Sequence, residues 1–289
     1  MAIADAAADA DGVGPLSEQV RLHLKYGGDD SARDLLLHHG PAVAGYSHLG
    51  GPDSAGHRSG ELVIHPAHRR RGLGLALAQA AVAEASPLPV RIWAHGDLPA
   101  AARLAAHAGF TRVRALYQMR RSLRQPVPEP RLPEGITLRT FVPGTDEDEW
   151  LAVNAAAFAS HPEQGAWTRA ELEHREAQPW FDPAGFFLAM RDGRLAGFHW
   201  TKVHRQRQAA GPDGRIGEVY VVGVHPREQG TGLGRALTLA GLAYLRSQEI
   251  PEVMLYVDGE NTAAIRLYES LGFALATTDV MYEHAAGPT

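Results

Sequence analysis

Between residues 136 and 282 the apolar positions switch between a period of two and a period of three to four, and each switch marks a new element. Alternation over 136–141 predicts a strand. Helical spacing follows over 146–160, with acidic side chains in its first turn. Thr168, with Glu171 three residues on, has the form of a capping box opening a second helix. Residues 185–190 and 195–203 read as a hairpin that turns around Asp192-Gly193. Next come a strand at 218–224, a helix at 232–247, a buried strand at 253–257 and a helix at 261–270. The stretch 273–282 closes the pattern as a final strand or a pair. Alternation is expected to put Glu218, Tyr220, Val222 and Val224 on one face of their strand. The class is α/β, in the α+β sense of a mixed sheet with helices.

The pattern occurs twice. Leu62-Val63-Ile64-His65-Pro66 and Arg70-Arg71-Gly72-Leu73-Gly74-Leu75-Ala76-Leu77 are answered 160 residues later. The answering strings are Val222-Gly223-Val224-His225-Pro226 and Gly230-Thr231-Gly232-Leu233-Gly234-Arg235-Ala236-Leu237. Leu104-Ala105-Ala106-His107-Ala108-Gly109-Phe110 is answered by Leu267-Tyr268-Glu269-Ser270-Leu271-Gly272-Phe273, 163 residues on. Matching elements in matching order indicate a duplicated domain, with residues 35–118 repeating the later part of the plan. Pro126, Pro128, Pro130 and Pro133 fall between the copies and favour an extended linker. The expected organisation is one domain at 1–124, a linker at 125–134 and a second domain at 135–289.

Composition agrees with two soluble domains. A length of 289 residues suits two units of about 140–150 each. With 45% hydrophobic and 21% charged residues the chain can bury real cores, which rules out a disordered or fibrous protein. It has no cysteine, so disulfides, thiolate zinc sites and a cysteine nucleophile are excluded. A net charge of −5 gives no support to a nucleic-acid partner. No apolar run reaches the ~18 residues of a membrane span. Residues 1–12, alanine with repeated aspartate, lack the positive charge and apolar run of a secretory signal. A cytoplasmic monomer with a frayed N-terminal tail is expected. The 15 histidines include no His-Glu-x-x-His; His65 and His225 belong to the turn before proline, and His38-His39 to a strand end, so no metal is expected.

The loop Gln229–Arg235 lies between a strand and an amphipathic helix, where free amides and the positive end of the helix dipole bind an anion. It lacks the Gly-Lys-Ser/Thr of a P-loop. A dinucleotide fingerprint fails where its last glycine would be Arg235, although Asp258 could imitate that fingerprint's ribose-binding acid.

The whole string Val-x-Val-His-Pro, two residues, then Gln-x-x-Gly-x-Gly resembles the acyl-CoA signature of the GNAT acetyltransferase superfamily. Asn261-Thr262-Ala263-Ala264-Ile265-Arg266 and the residues on to Phe273 resemble that superfamily's last motif. Two such domains, with Pro15-Leu16-Ser17-Glu18-Gln19-Val20 and His161-Pro162-Glu163-Gln164-Gly165, resemble its tandem-domain branch, which completes mycothiol. The resemblance spans essentially the whole chain. It implies acetyl transfer from acetyl-CoA to the cysteine amine of a cysteinyl-glucosaminyl-inositol, a small-molecule thiol precursor. Val222, Gly223 and Val224 would pair with the pantetheine arm, and Gln229, Gly230, Thr231, Gly232, Leu233, Gly234 and Arg235 would hold the pyrophosphate. The segment Asn261–Arg266 would complete the cofactor site.

The resemblance further implies that Glu218 is the base for the amine and Tyr268 the acid for the leaving thiolate. Read alone, Glu218 is ordinarily a surface glutamate opening a strand, and Tyr268 ordinarily a core ring. The resemblance puts Glu18, Glu163, Lys202, Glu218 and Tyr256 at the acceptor; Glu18 comes from the first half, so the acceptor is expected in the cleft between the domains. Lys202 is one of only two lysines among 28 basic residues. The repeat offsets carry Glu218 to Arg58, Tyr268 to Ala105 and Asn261 to Leu98. The first half is therefore expected to be silent while still holding acetyl-CoA along Leu62-Val63-Ile64 and Arg70-Arg71-Gly72-Leu73-Gly74-Leu75. Glu61 lies near, but a shift of three residues puts it on the expected opposite strand face. Two rivals remain open: another GNAT enzyme acting on a protein N-terminus or an aminoglycoside, and a non-catalytic acyl-CoA sensor.

Overall fold

The computed structural model describes residues 1–27, 30–159, 162–205 and 214–286, with the side chains of 162 and 163 outside that description. In chain order the elements begin with α1 (Ala2–Asp11), α2 (Glu18–Tyr26), β1 (Arg33–His39), β2 (Ala42–Pro52) and β3 (Arg58–Ile64). They continue with α3 (Leu73–Ala85), β4 (Val90–Ala94), α4 (Pro99–His107), β5 (Thr111–Ser122) and β6 (Ile136–Thr140). Then come α5 (Glu147–Ala157), the short α6 (Pro162–Gly165), α7 (Arg169–Glu176), β7 (Phe186–Arg191), β8 (Arg194–Arg205) and β9 (Arg215–Val224). Last are α8 (Leu233–Ser247), β10 (Glu252–Asp258), α9 (Thr262–Ser270) and β11 (Ala274–His284).

The first compact unit comprises Met1–Tyr117, Asp258–Glu260 and the chain from Thr277 onward. Its sheet runs β1-β2-β3-β4-β11, antiparallel except for the parallel β3–β4 pair. It includes the closing strand, although that strand follows the second repeat in the chain: Val280 pairs with Ala94, and His284 with Val90. Alanines of α3 let that helix sit close on one sheet face, against Leu49, Val90, Ile92 and Val280. On the other face α1 and α2 cover Tyr46 and Val63.

The second unit comprises Gln118–Val257 and Asn261–Ala276. Its sheet runs β6-β7-β8-β9-β10, with only β9–β10 parallel. Asp192 (φ 49°) and Gly193 (φ 74°) are both left-handed, which matches the twist of the β7–β8 hairpin they close. Thr168 and Glu171 form the full capping box ahead of α7. An aromatic core fills one face: Phe186 stacks between Phe141 at 4.4 Å and Trp200 at 4.6 Å, with Trp150 edge-on. α8 covers the other face.

Two sequence expectations change, and one open alternative is resolved. The helix expected at 146–160 ends at Ala157, and its last expected residue, Ser160, lies outside the described residues. The closing stretch is one strand rather than a pair. The face shared by Glu218 through Val224 is broken. Trp200 pairs with Val221 and Thr201 with Val219, so Tyr220 is the extra residue of a bulge. Glu218 and Tyr220 therefore point away from α8, whereas Val222 and Val224 pack with Leu233 and Leu237 beneath it.

Candidate active site

Both glycine loops adopt the same backbone course. After β9, His225 Nδ1 accepts the Arg227 amide and starts a 3-10 turn over Pro226–Glu228. Thr231 Oγ1 donates to the Glu228 carbonyl at 2.7 Å, and Gly230 (φ 78°) and Gly232 (φ 86°) take left-handed conformations. α8 then starts with no side-chain cap, so its first amides are free to meet an anion. A side chain at Gly230 or Gly232 would meet no neighbour, and each glycine leaves open space above the turn. In the first unit His65 Nδ1 accepts the Ala67 amide, Arg70 (φ 63°) stands where Gly230 does, and Gly72 (φ 80°) opens an equally uncapped α3. There Arg69, the counterpart of Gln229, forms a two-pronged ion pair with Asp11 at 2.6 and 2.7 Å.

β9 and β10 pair only from Gly217–Val253 to Val219–Leu255, yet β9 runs on to Val224 and β10 to Asp258. The bulge at Tyr220 falls where the ladder stops. Beyond it the two strands offer backbone donors and acceptors to an extended, amide-bearing ligand, the kind of partner a strand edge takes.

Glu218 is buried at the mouth of this opening, at 7% exposure. Lys202 lies directly across the β8–β9 ladder from it, and His204 Nε2 stands 3.2 Å from its Oε2. The Lys202 ammonium sits 4.4 Å from the Trp180 ring and 4.7 Å from the Tyr220 ring. Arg175 Nε donates to the Tyr220 hydroxyl at 2.9 Å while its guanidinium covers Trp167 at 3.8 Å. Trp180, Arg175 and His204 escaped the sequence reading. His204 carried one available signal, its spacing of two from Lys202 on the same strand.

Tyr268 projects from α9 into the core edge-on to Phe273, and burial pushes its phenol up to about 12. Asn261 accepts the Ala264 amide at 3.0 Å, so its carbonyl oxygen serves as the helix cap. Arg235 Nη1 donates to Ser270 Oγ at 2.8 Å. Tyr256 is exposed, and its hydroxyl accepts from Gln118 Nε2 at 2.9 Å. Glu18 is the first residue of α2, behind the Ser17 cap, in the first unit. Glu163 lies on α6 with its side chain outside the described residues.

In the first unit Arg58 donates to the carbonyls of Ser31 and Gly50, and Ala105 and Leu98 carry no polar group. The expectation for Glu61 needs correction. His48 pairs with Glu61 and Tyr46 with Val63 without a bulge, so Glu61 shares the face turned away from α3. Glu218 likewise faces away from its own loop helix, because one extra residue at Tyr220 converts the three-residue shift into an even step. Glu61 is nevertheless committed. Its Oε2 accepts the Ser17 amide at 2.8 Å and its Oε1 accepts from His95 Nε2 at 3.1 Å. His95 Nδ1 donates to Asp279 at 2.8 Å, and the two carboxylates hold this buried imidazole up at about 10 against its desolvation.

The chain matches the acetyltransferase (GNAT) family over residues 150–273. It is 64% identical over 282 residues to a mycothiol acetyltransferase of Thermobispora bispora, covering 98% of this chain and 94% of the relative. It is 58% identical over 285 residues to a mycothiol acetyltransferase of Thermomonospora curvata, covering 98% and 92%. Among solved structures it is similar to a GCN5-related N-acetyltransferase of Sphaerobacter thermophilus, at TM-score 0.71 and 27% identity, over 99% of this chain and 91% of that one. A tandem GNAT protein from the clavulanic acid biosynthesis pathway has the same fold at TM-score 0.74 and 23% identity, over 99% and 94%. A glycine loop, a parted strand pair and full-length similarity lead to one family: this chain belongs to the mycothiol acetyltransferases of the GNAT superfamily.

Proposed function

We propose that the second unit moves the acetyl group of acetyl-CoA to the cysteine amine of a cysteinyl-glucosaminyl-inositol acceptor. The reading rests above all on one observation: Glu218 is buried one residue pair before β9 and β10 part. An amine approaching the parted strands loses a proton to Glu218, directly or through water. Its neutral nitrogen then attacks the thioester carbonyl, the N–C bond forms, the C–S bond breaks, and the proton left on nitrogen passes to solvent. Tyr268, kept protonated by burial, supplies a proton to the departing thiolate. Lys202, Tyr256, Glu18 and Glu163 bind the acceptor's hydroxyl-rich body. With no cysteine in the chain, the acetyl group passes directly between the two substrates.

The loop Gln229–Arg235 holds the pyrophosphate in this scheme, and Val222–Val224 pair with the pantetheine arm. The first repeat, expected at 1–124, is a silent copy that still binds acetyl-CoA at Leu62–Ile64 and Arg70–Leu75, and the second repeat, expected at 135–289, is the working copy, although its closing strand lies in the first unit's sheet. The loop's left-handed Gly72 and uncapped α3 support binding there, while Arg58, Ala105 and Leu98 supply no base, acid or cap. The chain acts in the cytoplasm as a monomer, with no metal in the transfer step.

The test is an acceptor profile with acetyl-CoA, read by CoA release and by mass spectrometry of the product. Acetylation of the cysteinyl pseudodisaccharide at nitrogen, in preference to peptides and aminoglycosides, is expected. Preference for either of the others, or no CoA release with any acceptor, overturns the reading.

A further inference from the structure

Three polar side chains of the first unit converge where acetyl transfer has no need of them. His23 lies in the last turn of α2, Asp34 on β1 and His48 on β2. Asp34 and His48 are direct partners in the β1–β2 ladder, so the sheet register alone brings them to one face. His48 Nδ1 stands 2.8 Å from Asp34 Oδ1, and His23 Nε2 stands 3.2 Å from Asp34 Oδ2. The two imidazole rings are 4.4 Å apart between centroids. One ligand atom from each residue lies within 4.8 Å of the other two.

We propose that His23, Asp34 and His48 form a binding site for a divalent transition-metal ion of the zinc type.

The donor set is two imidazoles and a carboxylate, which suits zinc and its neighbours rather than calcium or magnesium. Bonds of about 2.0–2.2 Å in a tetrahedron separate donors by roughly 3.3–3.6 Å, so these side chains need only small adjustments to close around an ion. Their exposures suit an open site: His48 is 8% and His23 16% exposed at the side chain, and Asp34 39%. The histidines are held by packing, while the carboxylate side admits an ion and leaves a fourth position for water or a ligand. Outer support is present as well. The Tyr46 hydroxyl donates to Asp34 Oδ1 at 2.7 Å, as expected of a group that orients a ligating carboxylate. Glu61, opposite His48 in the β2–β3 ladder, adds negative charge nearby. The spacings of 11 and 14 residues match no motif, because three separate elements gather the ligands.

An aspartate bridging two histidines by hydrogen bonds alone needs no ion, so metal binding itself is the test. The full chain, stripped with a chelator, is titrated with Zn²⁺ against a chromophoric competitor and with Co²⁺ followed by visible absorption. One equivalent is expected to bind with micromolar or tighter affinity. His23→Gln, Asp34→Asn and His48→Gln are each expected to weaken it at least ~100-fold. Zn²⁺ should raise the melting temperature of the parent chain and leave that of Asp34→Asn unmoved. His68→Gln alters a separate histidine group, with His39 and His65 ring centroids 5.4 and 5.7 Å from its own, and should leave binding intact. Failure of the parent to bind one equivalent, undiminished binding in all three ligand variants, or loss in His68→Gln instead overturns the proposal.

Discussion

Lys202 and Glu218 face each other across the β8–β9 ladder, and Glu218 sits one residue pair before β9 leaves β10. The Lys202 ammonium is also held between the Trp180 and Tyr220 rings, which orients it as a fixed cation. Lys202→Met keeps the aliphatic stem and removes the charge. The acceptor KM is expected to rise about tenfold, a loss of ~1.4 kcal/mol, with the acetyl-CoA KM unchanged. Steady-state kinetics in both substrates check this, and an unmoved acceptor KM would remove Lys202 from the acceptor site.

Burial pushes the Tyr268 phenol to about 12, so it remains a proton donor throughout neutral and mildly alkaline pH. Tyr268→Phe keeps the ring contact with Phe273 and should lower kcat by about 10²-fold while leaving the fold intact. The alkaline limb of the parent kcat profile should not appear below about pH 10, if Tyr268 alone set it. Matched circular dichroism spectra with unchanged kcat would reduce Tyr268 to a packing residue.

Gly241 on α8 has a steric reason. A Cβ there would lie 2.1 Å from Cε1 and 2.3 Å from Nδ1 of the buried His199 ring. That ring donates from Nδ1 to the Leu237 carbonyl at 2.7 Å and is kept neutral by burial, with its pKa down at about 4. Helix propensity alone favours Gly241→Ala by about 1 kcal/mol. Overpacking opposes it by about 1–3 kcal/mol, so a lower melting temperature is expected. Thermal denaturation reads the sign directly.

The Glu61–His95–Asp279 cluster makes stability depend on alkaline pH. His95 titrates near 10 in the folded chain, above the ~6.5 of an unfolded histidine, so its contribution is complete below about pH 6.5 and fades as pH rises to about 10. Urea midpoints should fall across that window. His95→Gln should flatten the fall and cost about 3 kcal/mol or more below it, since two buried carboxylates lose their cation. A parent chain equally stable at both ends of the window contradicts the assignment.

The sequence made much of the second unit legible because its signals are local. Asp192-Gly193, the Thr168 capping box and the turn from His225 to Gly232 each fix a conformation within a few residues, and all appear as expected. The faces of β9 were misread because a bulge is one extra residue against a partner strand, and Trp200 and Thr201 give no local hint of it. The same blind spot hid the common face of Glu61 and Glu218. Trp180 and Arg175 reach Lys202 and Tyr220 only through tertiary packing, as His23 reaches Asp34, while His204 meets Glu218 across the β8–β9 ladder. Asp279 meets His95 because β11 pairs with β4, a pairing between segments far apart in the chain.

The central claim is that Glu218 is the base and that the second unit alone carries out the chemistry. A single-turnover assay of Glu218→Gln at saturating acetyl-CoA and cysteinyl acceptor tests it most directly. The account predicts acetyl transfer slowed by about 10²–10⁴-fold, with acetyl-CoA still bound at two sites per chain. Transfer at the parent rate would contradict it.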